Sequence, residues 1–255
     1  MHGACCVPPP QITGLLMTNS HCLPDDVYSC HSDSHLVFLD LRRDKYICLN
    51  RQNTQLVAHI FTGSCFQSPD LTTLRSMAVS ADSLRVVQAL VGNGLLEEDI
   101  TGLGSLTWSS IQLPTASLST EESNPSKIRI SHRAAFLGAS LRASWALRWH
   151  SIHRTVHDVR ERKERIANKR LPNYHALRQL VFVYRSLAPW YGGEYRCLFD
   201  SLALVEFLSS FRLFPQWVFG VKVQPFAAHC WIQDGDRVLN DSLEYVRRFT
   251  PIMTV

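Results

Sequence analysis

The sequence lacks the features of secreted, membrane-spanning and disulfide-stabilised proteins. Its first residues show no basic segment followed by an apolar core, so they do not resemble a signal peptide. No apolar run approaches the roughly 20 residues that a membrane-spanning helix needs. The eight cysteines among 255 residues are too sparse for a disulfide framework, and no two form a Cys-x-x-Cys pair. We therefore expect a cytoplasmic protein with reduced cysteines and no membrane partner.

Excess charge and cofactor motifs are also missing. The formal net charge of +4 is modest and does not by itself indicate nucleic-acid binding. The sequence contains no Gly-x-x-x-x-Gly-Lys-Ser/Thr phosphate loop. Cys22 and Cys30 stand beside His21 and His31, but this spacing fits no common zinc site, so we predict no metal. The hydrophobic content of 45% is nevertheless sufficient to fill a core.

The most informative stretch of the chain is a helix that begins with a cysteine. From Cys197 to Phe211 the apolar residues recur at helical spacing, which predicts a helix with a wide buried face. Gly192 and Gly193 interrupt any earlier helix, so Cys197 falls at or near the first turn. Unpaired N–H groups and the positive end of the helix dipole favour a thiolate at that place. Cys197 is therefore a candidate nucleophile.

Two predicted strands downstream offer a base and a partner for that base. They flank the Asp-Gly-Asp sequence at 234–236, which is a strong hairpin signal. A three-residue loop would place His229 directly opposite Asp241. Directly opposed Cβ atoms lie roughly 5 Å apart, close enough for a carboxylate to orient an imidazole. With Cys197 as nucleophile, His229 and Asp241 then serve as base and orienting group.

Neighbouring polar residues are predicted to have structural roles. Strand alternation points Cys230 to the opposite face from His229, where we expect a core position. Asp234 and Asp236 are expected in the turn. Asp200 falls in the first turn after Cys197, where its charge suits the helix dipole and predicts a cap.

The first half of the chain predicts a small sheet followed by three helices. Apolar residues at 36–41 and 46–49 flank a charged turn and predict a hairpin. Ser68 would begin the second helix, because a proline follows it, and Asp82 would begin the third. We expect four segments, namely a loose tail at 1–24, this unit at 25–102, a Ser/Thr/Pro-rich linker at 103–128 and a second domain at 129–255.

The second domain predicts three helices before the one that begins at Cys197. Leu137, Leu141 and Trp145 make the first of them apolar, and the dense mixed charges of the second predict a solvated helix. The expected helices lie at 131–148, 153–170 and 175–187, and a last strand is expected at 245–255.

The order of Cys197, His229 and Asp241 resembles that of the transglutaminase-like cysteine hydrolases, in which Cys opens a helix and His and Asp lie on successive strands. More narrowly, the chain resembles the lasso-peptide maturation proteases, the B proteins that remove the leader from a ribosomally made precursor. Cys230 and Gln233 depart from that pattern, which has a small residue and an acidic residue there. The matching segments are 196–204, 219–221, 225–231 and 238–241.

The resemblance implies an α+β fold with two domains. The small sheet and its helices resemble the winged-helix-like leader-recognition domain, in which the leader adds as a strand to the exposed edge and lies against the third helix. A transglutaminase-like (papain-like) cysteine protease domain follows it. The leader-binding residues that this resemblance implies are Tyr46, Ile47, Cys48, Leu84, Val87 and Val91.

The resemblance also implies partners and a cofactor. The partners are the leader region of a precursor peptide and a lasso cyclase of the asparagine-synthetase type, with no nucleic acid. An ATP requirement is implied by the family alone, since the sequence shows no site for it. Two alternatives stay open: a transglutaminase-like acyltransferase with the same triad, and a non-catalytic module that binds peptide or nucleic acid.

Overall fold

The computed structural model describes residues 20–57, 81–99, 111–118, 128–167, 174–188 and 197–255. In these segments the chain is a mixed α/β protein. Its strands are β1 (Ser20–Cys22), β2 (Val27–Ser32), β3 (His35–Asp40), β4 (Lys45–Leu49), β5 (Glu97–Asp99), β6 (Ala116–Ser117), β7 (Gln216–Lys222), β8 (Ala227–Asp234), β9 (Arg237–Val238) and β10 (Thr250–Thr254). Its helices are α1 (Arg51–Val57), α2 (Ala81–Gly92), α3 (Ile130–Trp149), α4 (Ile152–Ala167), α5 (Tyr174–Leu187), α6 (Cys197–Ser209) and α7 (Leu243–Val246).

An antiparallel sheet of β2, β3 and β4 forms the N-terminal region and is covered on both faces. On one face, Leu36 and Phe38 of the central strand β3 pack with α1 and α2 in a small core. On the other face, Val37 and Leu39 join the main core of the molecule. The predicted hairpin is confirmed as β3 and β4, and the predicted third helix as α2. The helix predicted to begin at Ser68 lies outside the described residues.

Helix α6 is the centre of the main core. Every residue from Ser201 to Leu208 is buried, because apolar residues occur around the whole circumference of this helix. A five-stranded sheet in the order β10-β7-β8-β9-β6 packs against it, with α3 and α5 on its other sides. The sequence predicted this helix and the strands β7 and β8 correctly. Together they place the end of α6 that carries Cys197 against β8.

The two regions of the molecule meet through this main core. Strand β2 lies alongside β10, where the Thr250 hydroxyl donates a hydrogen bond to the Ser32 hydroxyl over 2.9 Å. Arg160 of α4 lies over the ring of Tyr28 on β2, 5.5 Å from its centroid. Because β3 contributes side chains to the same core as α6, the N-terminal sheet packs directly onto the region that holds Cys197.

Helix α4 is less solvated than its dense charges predicted. Arg162 of α4 and Arg142 of α3 both donate to the carboxylate of Glu206, the latter over 2.8 Å. Glu206 lies on α6 and is only 5% exposed. Burial raises the pKa of Glu206, but the two guanidinium groups outweigh it and hold that pKa below its usual range. Glu206 thus anchors both α3, through Arg142, and α4, through Arg162, to the central helix.

The exposed face of α3 carries large apolar side chains, whereas the solvent face of a typical surface helix is polar. Leu137, Leu141 and Trp145, which made this segment apolar in the sequence, are 60%, 69% and 62% exposed. The buried positions are instead Phe136 and small residues such as Ala139, because α3 lies close against α6. Sequence spacing alone does not reveal which apolar stripe a helix buries.

The short strands β1, β5 and β6 and the short helix α7 were not predicted from the sequence. Within the predicted tail, β1 pairs with β5, and within the predicted linker, β6 pairs in parallel with β9. In place of one strand from 245 to 255, the chain forms α7 and then β10. Ser242 causes that break, since its hydroxyl accepts a hydrogen bond from the Tyr245 N–H and caps α7.

Candidate active site

Cys197 is the first residue of α6, as the sequence predicted. Its side chain is half-buried and packs against the main core, and the side chains of Cys230 and His229 both lower the pKa of its thiol. A first-turn N–H has no partner within its helix, so the N–H of Cys197 is a candidate donor to an oxyanion. The thiol therefore has a base beside it and a donor group at its own backbone.

His229 on β8 contacts Asp241, although the strand register that brings them together differs from the predicted one. The Nε2 of His229 lies 2.6 Å from the Oδ2 of Asp241. The hairpin between β8 and β9 has a two-residue loop, so the predicted register, with His229 directly opposite Asp241, is wrong. Gly235 permits the tighter turn, with a φ of 57°. Asp241 lies beyond the end of β9 and reaches back to the imidazole from there.

A hydrogen-bond network fixes the segment that carries Asp241. The side chain of Asn240 accepts from the N–H of Ile232 over 2.7 Å and donates to the hydroxyl of Ser201 over 3.0 Å. That hydroxyl in turn donates to the carbonyl of Cys230 over 3.1 Å. One residue before Asp241, Asn240 therefore ties the loop after β9 to β8 and to α6. These are the three elements that carry Cys197, His229 and Asp241.

Aromatic rings enclose His229. Tyr245 and Phe249 each lie with their ring centroid 5.0 Å from the imidazole centroid, and Trp231 lies roughly parallel to it at 6.2 Å. Across the strand pair, Gly220 faces His229, and a Cβ there would come within 2.8 Å of the Trp231 ring. The rings restrict the orientations of the imidazole, and Gly220 leaves the space that Trp231 fills.

The electrostatics of the site favour a thiolate–imidazolium pair. Hydrogen bonds from Cys230 and then His229 lower the pKa of Cys197 to about 4, against the opposing effect of burial. Burial lowers the pKa of His229, but Asp241 and the Cys197 thiolate outweigh it and raise that pKa to about 9. We assign the negative charge to Cys197 because the imidazolium favours it and Cys197 begins a helix, whereas that thiolate and then burial raise the pKa of Cys230.

A pre-formed thiolate beside an imidazolium can attack an electrophilic carbonyl and return a proton to the leaving group. The comparison with protein-family models agrees with this arrangement. Residues 137–254 match the transglutaminase-like superfamily. This region therefore holds a transglutaminase-like domain, and all three candidate residues lie within it. No curated protein and no solved structure matches the chain.

Gln233 of the transglutaminase-like domain has a structural role that explains its departure from an acidic residue. It is fully buried on β8, and its amide nitrogen donates to the carbonyls of Gln112 and Gly235 over 2.6 and 2.7 Å. Its amide oxygen accepts from the indole N–H of Trp231 over 3.0 Å. A carboxylate could accept from Trp231 but could not donate to the two carbonyls.

Cys230 is the site residue whose role sequence reasoning missed. Strand alternation predicted a core position, and the side chain is indeed only 3% exposed. Its thiol nevertheless lowers the pKa of Cys197, because α6 lies against the face of β8 that carries Cys230 and the Ser201 hydroxyl of α6 donates to the Cys230 carbonyl. A cysteine in place of the small residue of the family pattern was the signal that could have indicated it.

A groove lies between β4 and α2, near the residues that the sequence predicted to bind a leader. Its volume is about 370 Å³, and Ile47 is one of its lining residues. Among the described residues, no strand pairs with the outer edge of β4. The helix side chains that line the groove differ from the predicted Leu84, Val87 and Val91, and Val87 is buried in the small core. They are Arg85, Val86, Ala89, Leu90 and Asn93.

Tyr46, also on β4, connects this region with the catalytic one. Its ring packs edge-on against Phe226 with centroids 5.7 Å apart. Burial raises the pKa of its phenol, and Tyr46 packs against the same core cluster that contains Cys230 and that Cys197 borders. Cys48, the third predicted residue of this strand, is exposed.

The described segments contain neither a cluster of metal ligands nor a helix suited to crossing a membrane. No group of three or more His, Cys, Asp or Glu side chains in them is placed to hold a metal ion. None of their helices combines the length and hydrophobicity that crossing a membrane requires.

Proposed function

We propose that this chain is a cysteine peptidase that binds the leader of a ribosomally made precursor and removes it during lasso-peptide maturation. The observation that carries the proposal is the chain of contacts from Cys197 through His229 to Asp241 within a transglutaminase-like domain. The narrower assignment to leader removal rests on the resemblance to lasso B proteins and on the groove beside β4.

In the proposed reaction the Cys197 thiolate attacks the peptide carbonyl at the junction of leader and core. The backbone N–H of Cys197 stabilises the oxyanion, and the His229 imidazolium gives its proton to the leaving amine. His229, now neutral, accepts a proton from water as the water attacks the acyl-enzyme. Asp241 holds the imidazole in one tautomer, with its Nε2 side toward the carboxylate and its other nitrogen toward Cys197.

Leader recognition is proposed to occur by strand addition at β4. Backbone groups along the outer edge of β4 would supply main-chain hydrogen bonds, and the apolar floor of the groove would accept alternate side chains. Ile47 faces this groove, whereas Tyr46 lies toward the catalytic thiols. A leader on this edge would thus run past the side of the sheet that packs against the active site.

The remaining parts of the proposal concern the partner enzyme and ATP. A lasso cyclase of the asparagine-synthetase type is the proposed recipient of the released core peptide. An ATP requirement is implied only by the resemblance to the lasso B proteins. The sequence has no Walker-type phosphate loop, so no residue of this chain is assigned to the nucleotide.

Cleavage of precursor peptides by purified full-length protein tests the proposal. Cys197→Ala should abolish cleavage without loss of the fold, while Cys22→Ala, which removes a half-buried thiol outside the candidate active site and the β4 groove, should leave cleavage unchanged. Mass spectrometry identifies the product: free leader acid indicates hydrolysis, and an adduct with an added amine indicates a transglutaminase-like acyltransferase. Leader binding with no product from the wild-type protein indicates a non-catalytic module. Cleavage by Cys197→Ala would exclude Cys197 as the nucleophile.

A further inference from the structure

The candidate active site contains a second thiol that the proposed peptidase reaction does not use. Cys197 at the start of α6 and Cys230 on β8 are both free cysteines, both lie at the main core, and each shifts the pKa of the other. Hydrolysis requires a nucleophile, a base and an oxyanion donor, none of which is Cys230. A pair of neighbouring thiols can, however, be joined by oxidation, whereas a single thiol cannot.

Hydrogen bonds of Ser201 fix the first turns of α6 against the part of β8 that carries Cys230. Ser201, one helical turn after Cys197 on the same face of α6, donates a hydrogen bond to the backbone carbonyl of Cys230 over 3.1 Å. Asn240 donates to the Ser201 hydroxyl over 3.0 Å and keeps it in place. Trp217, which is fully buried, belongs to the same core cluster as Cys230. Movement of α6 away from β8 would break the two hydrogen bonds of Ser201, so the proximity of Cys197 to Cys230 is a fixed feature of the site.

The two thiols differ in exposure and therefore in the order in which they react. Cys197 is half-buried and is held as a thiolate by its neighbours, which makes it the nucleophile that meets an oxidant first. Cys230 is 3% exposed and keeps its proton. An accessible thiolate next to a second, protected thiol is the arrangement found at redox-sensitive cysteine sites.

We propose that Cys197 and Cys230 form an oxidation site for peroxides, in which Cys230 is the resolving thiol of a reversible Cys197–Cys230 disulfide. The inference rests on the proposed function only for its consequence, since an oxidised Cys197 can no longer attack a peptide. The formation of the disulfide itself requires only the two thiols and a peroxide.

The chemistry balances as a two-electron oxidation. The Cys197 thiolate attacks one peroxide oxygen, the O–O bond breaks, and the departing hydroxide takes a proton from the His229 imidazolium and leaves as water. The sulfur of Cys230 then attacks the sulfenic sulfur of Cys197, the S–O bond breaks, and the hydroxyl leaves as a second water with the proton of Cys230. Two thiol sulfurs are oxidised, and one peroxide is reduced to two waters. A small thiol or dithiol reverses the reaction by thiol–disulfide exchange.

This site would protect the nucleophile as well as inhibit it. Without a resolving thiol, excess peroxide carries a sulfenic acid on to sulfinic and sulfonic acids, which ordinary thiols do not reduce. With Cys230 in contact, the sulfenic sulfur is consumed before that second oxidation. We therefore expect reversible inhibition in the wild-type chain and irreversible oxidation in a variant that lacks the Cys230 thiol.

The test uses the full-length protein, reduced, freed of reductant and exposed to hydrogen peroxide. Remaining thiols are then blocked with N-ethylmaleimide, and peptides are mapped by mass spectrometry without reduction. In the wild-type chain, the peptides with Cys197 and Cys230 should be linked and should together have lost two hydrogen atoms. In Cys230→Ser and Cys230→Ala, the Cys197 peptide should instead gain two or three oxygen atoms. Dithiothreitol should restore both thiols in the wild type and should restore nothing in the variants.

Controls separate this inference from the proposed function. Cys48→Ser removes an exposed thiol and should leave the linked peptide in place. Circular dichroism checks that the two Cys230 variants are folded. Serine and alanine differ in polarity, so one of them can be tolerated at this buried position where the other is not. Failure to cleave any precursor would overturn the peptidase proposal while the disulfide still forms. Equal over-oxidation of Cys197 in wild type and variants, or linkage of Cys197 to another cysteine, would overturn the inference.

Discussion

At the scale of single residues, neighbouring groups set the reactivity of the triad. Cys197 and His229 exchange the protonation states that they would have in water, because each stabilises the charge of the other. Asp241 adds to the stability of the imidazolium through its hydrogen bond to Nε2. The sequence predicted that His229 and Asp241 come together, and their role in catalysis stays a prediction. It could not predict that Cys230 lies near Cys197, because strand alternation says nothing about which element packs on the other face.

The first prediction concerns the pH dependence of cleavage. The pKa of Cys197, lowered to about 4, keeps the thiolate charged above that pH, and the pKa of His229, raised to about 9, keeps the imidazolium charged below it. The value of kcat/KM should therefore be nearly constant between these limits. It should fall toward low pH as Cys197 gains a proton, and toward high pH as His229 loses the proton that the leaving amine needs.

Alkylation of Cys197 by iodoacetamide provides the matching control for this profile. The alkylation rate should fall only on the acidic side, because the thiolate persists when His229 is neutral. An ordinary cysteine has a pKa near 8.5 and would show its rise there instead. An alkylation rate that rises between pH 8 and 9 would contradict a pre-formed thiolate.

The second prediction concerns Asp241. Asp241→Asn keeps the size of the side chain but removes the charge that supports the His229 imidazolium, so kcat should fall, by about 10⁴ if the serine-protease precedent applies. Asp236→Asn is the matched control, because Asp236 lies in the nearby hairpin turn, where its carboxylate accepts a hydrogen bond from Thr115. Steady-state cleavage measured by chromatography checks both. A larger loss for Asp236→Asn would show that the orienting carboxylate is misassigned.

At the scale of elements, local sequence signals located helices and strands better than they located contacts. The predicted helices α2, α3, α5 and α6 are present with bounds close to those expected. The hairpin after β8 is present with a loop one residue shorter, since Gly235 allows the tighter turn. Strands β1, β5 and β6 pair segments that are distant in sequence. They have two or three residues each, too few for periodicity to show.

The third prediction concerns Gly220 on β7. A Cβ at this position would lie 2.8 and 2.9 Å from two atoms of the Trp231 ring and 3.1 Å from Phe249. Gly220→Ala should therefore overpack the sheet and cost about 1–3 kcal/mol of unfolding free energy. It should also slow cleavage, because Trp231 and Phe249 both pack against the imidazole of His229. Urea unfolding monitored by tryptophan fluorescence measures the first effect.

Gly92→Ala is the matched control for that substitution. Gly92 is the last residue of α2, and a Cβ built there has no atom within 4 Å. Its replacement should leave stability unchanged or raise it by up to about 1 kcal/mol through helix propensity. If Gly220→Ala were as stable as Gly92→Ala, the close packing of Trp231 beside His229 would be disproved.

At the scale of the whole molecule, the sheet of β2, β3 and β4 and the transglutaminase-like domain are packed together. Val37 and Leu39 contribute to the same core as α6, and β2 lies alongside β10. The sequence predicted two units joined by a linker, because composition indicates where loops lie. Composition does not indicate which surfaces pack against each other. If the leader binds at β4, its position relative to Cys197 is therefore set by packed side chains. A leader-binding test accordingly requires the full chain.

The last prediction concerns the groove between β4 and α2. Ala89 of α2 lines this groove, and Ala89→Trp would fill it with an indole ring. If the leader adds to β4 with side chains in the groove, its affinity should fall at least about tenfold, which corresponds to about 1.4 kcal/mol. Leu84→Trp is the control, because Leu84 lies on the same helix, is 51% exposed and is not among the lining residues.

Fluorescence anisotropy with a labelled leader peptide and the full-length Cys197→Ala protein measures binding without cleavage. Ala89→Trp should weaken binding and also raise the KM of the otherwise wild-type enzyme, with kcat little changed, since the groove does not touch the triad. Leu84→Trp should do neither. The sequence-based expectation named Leu84 and not Ala89, so the two variants also decide between the helix face predicted from sequence and the one that borders the groove. Equal affinities for both variants and the wild type would place the leader somewhere other than β4.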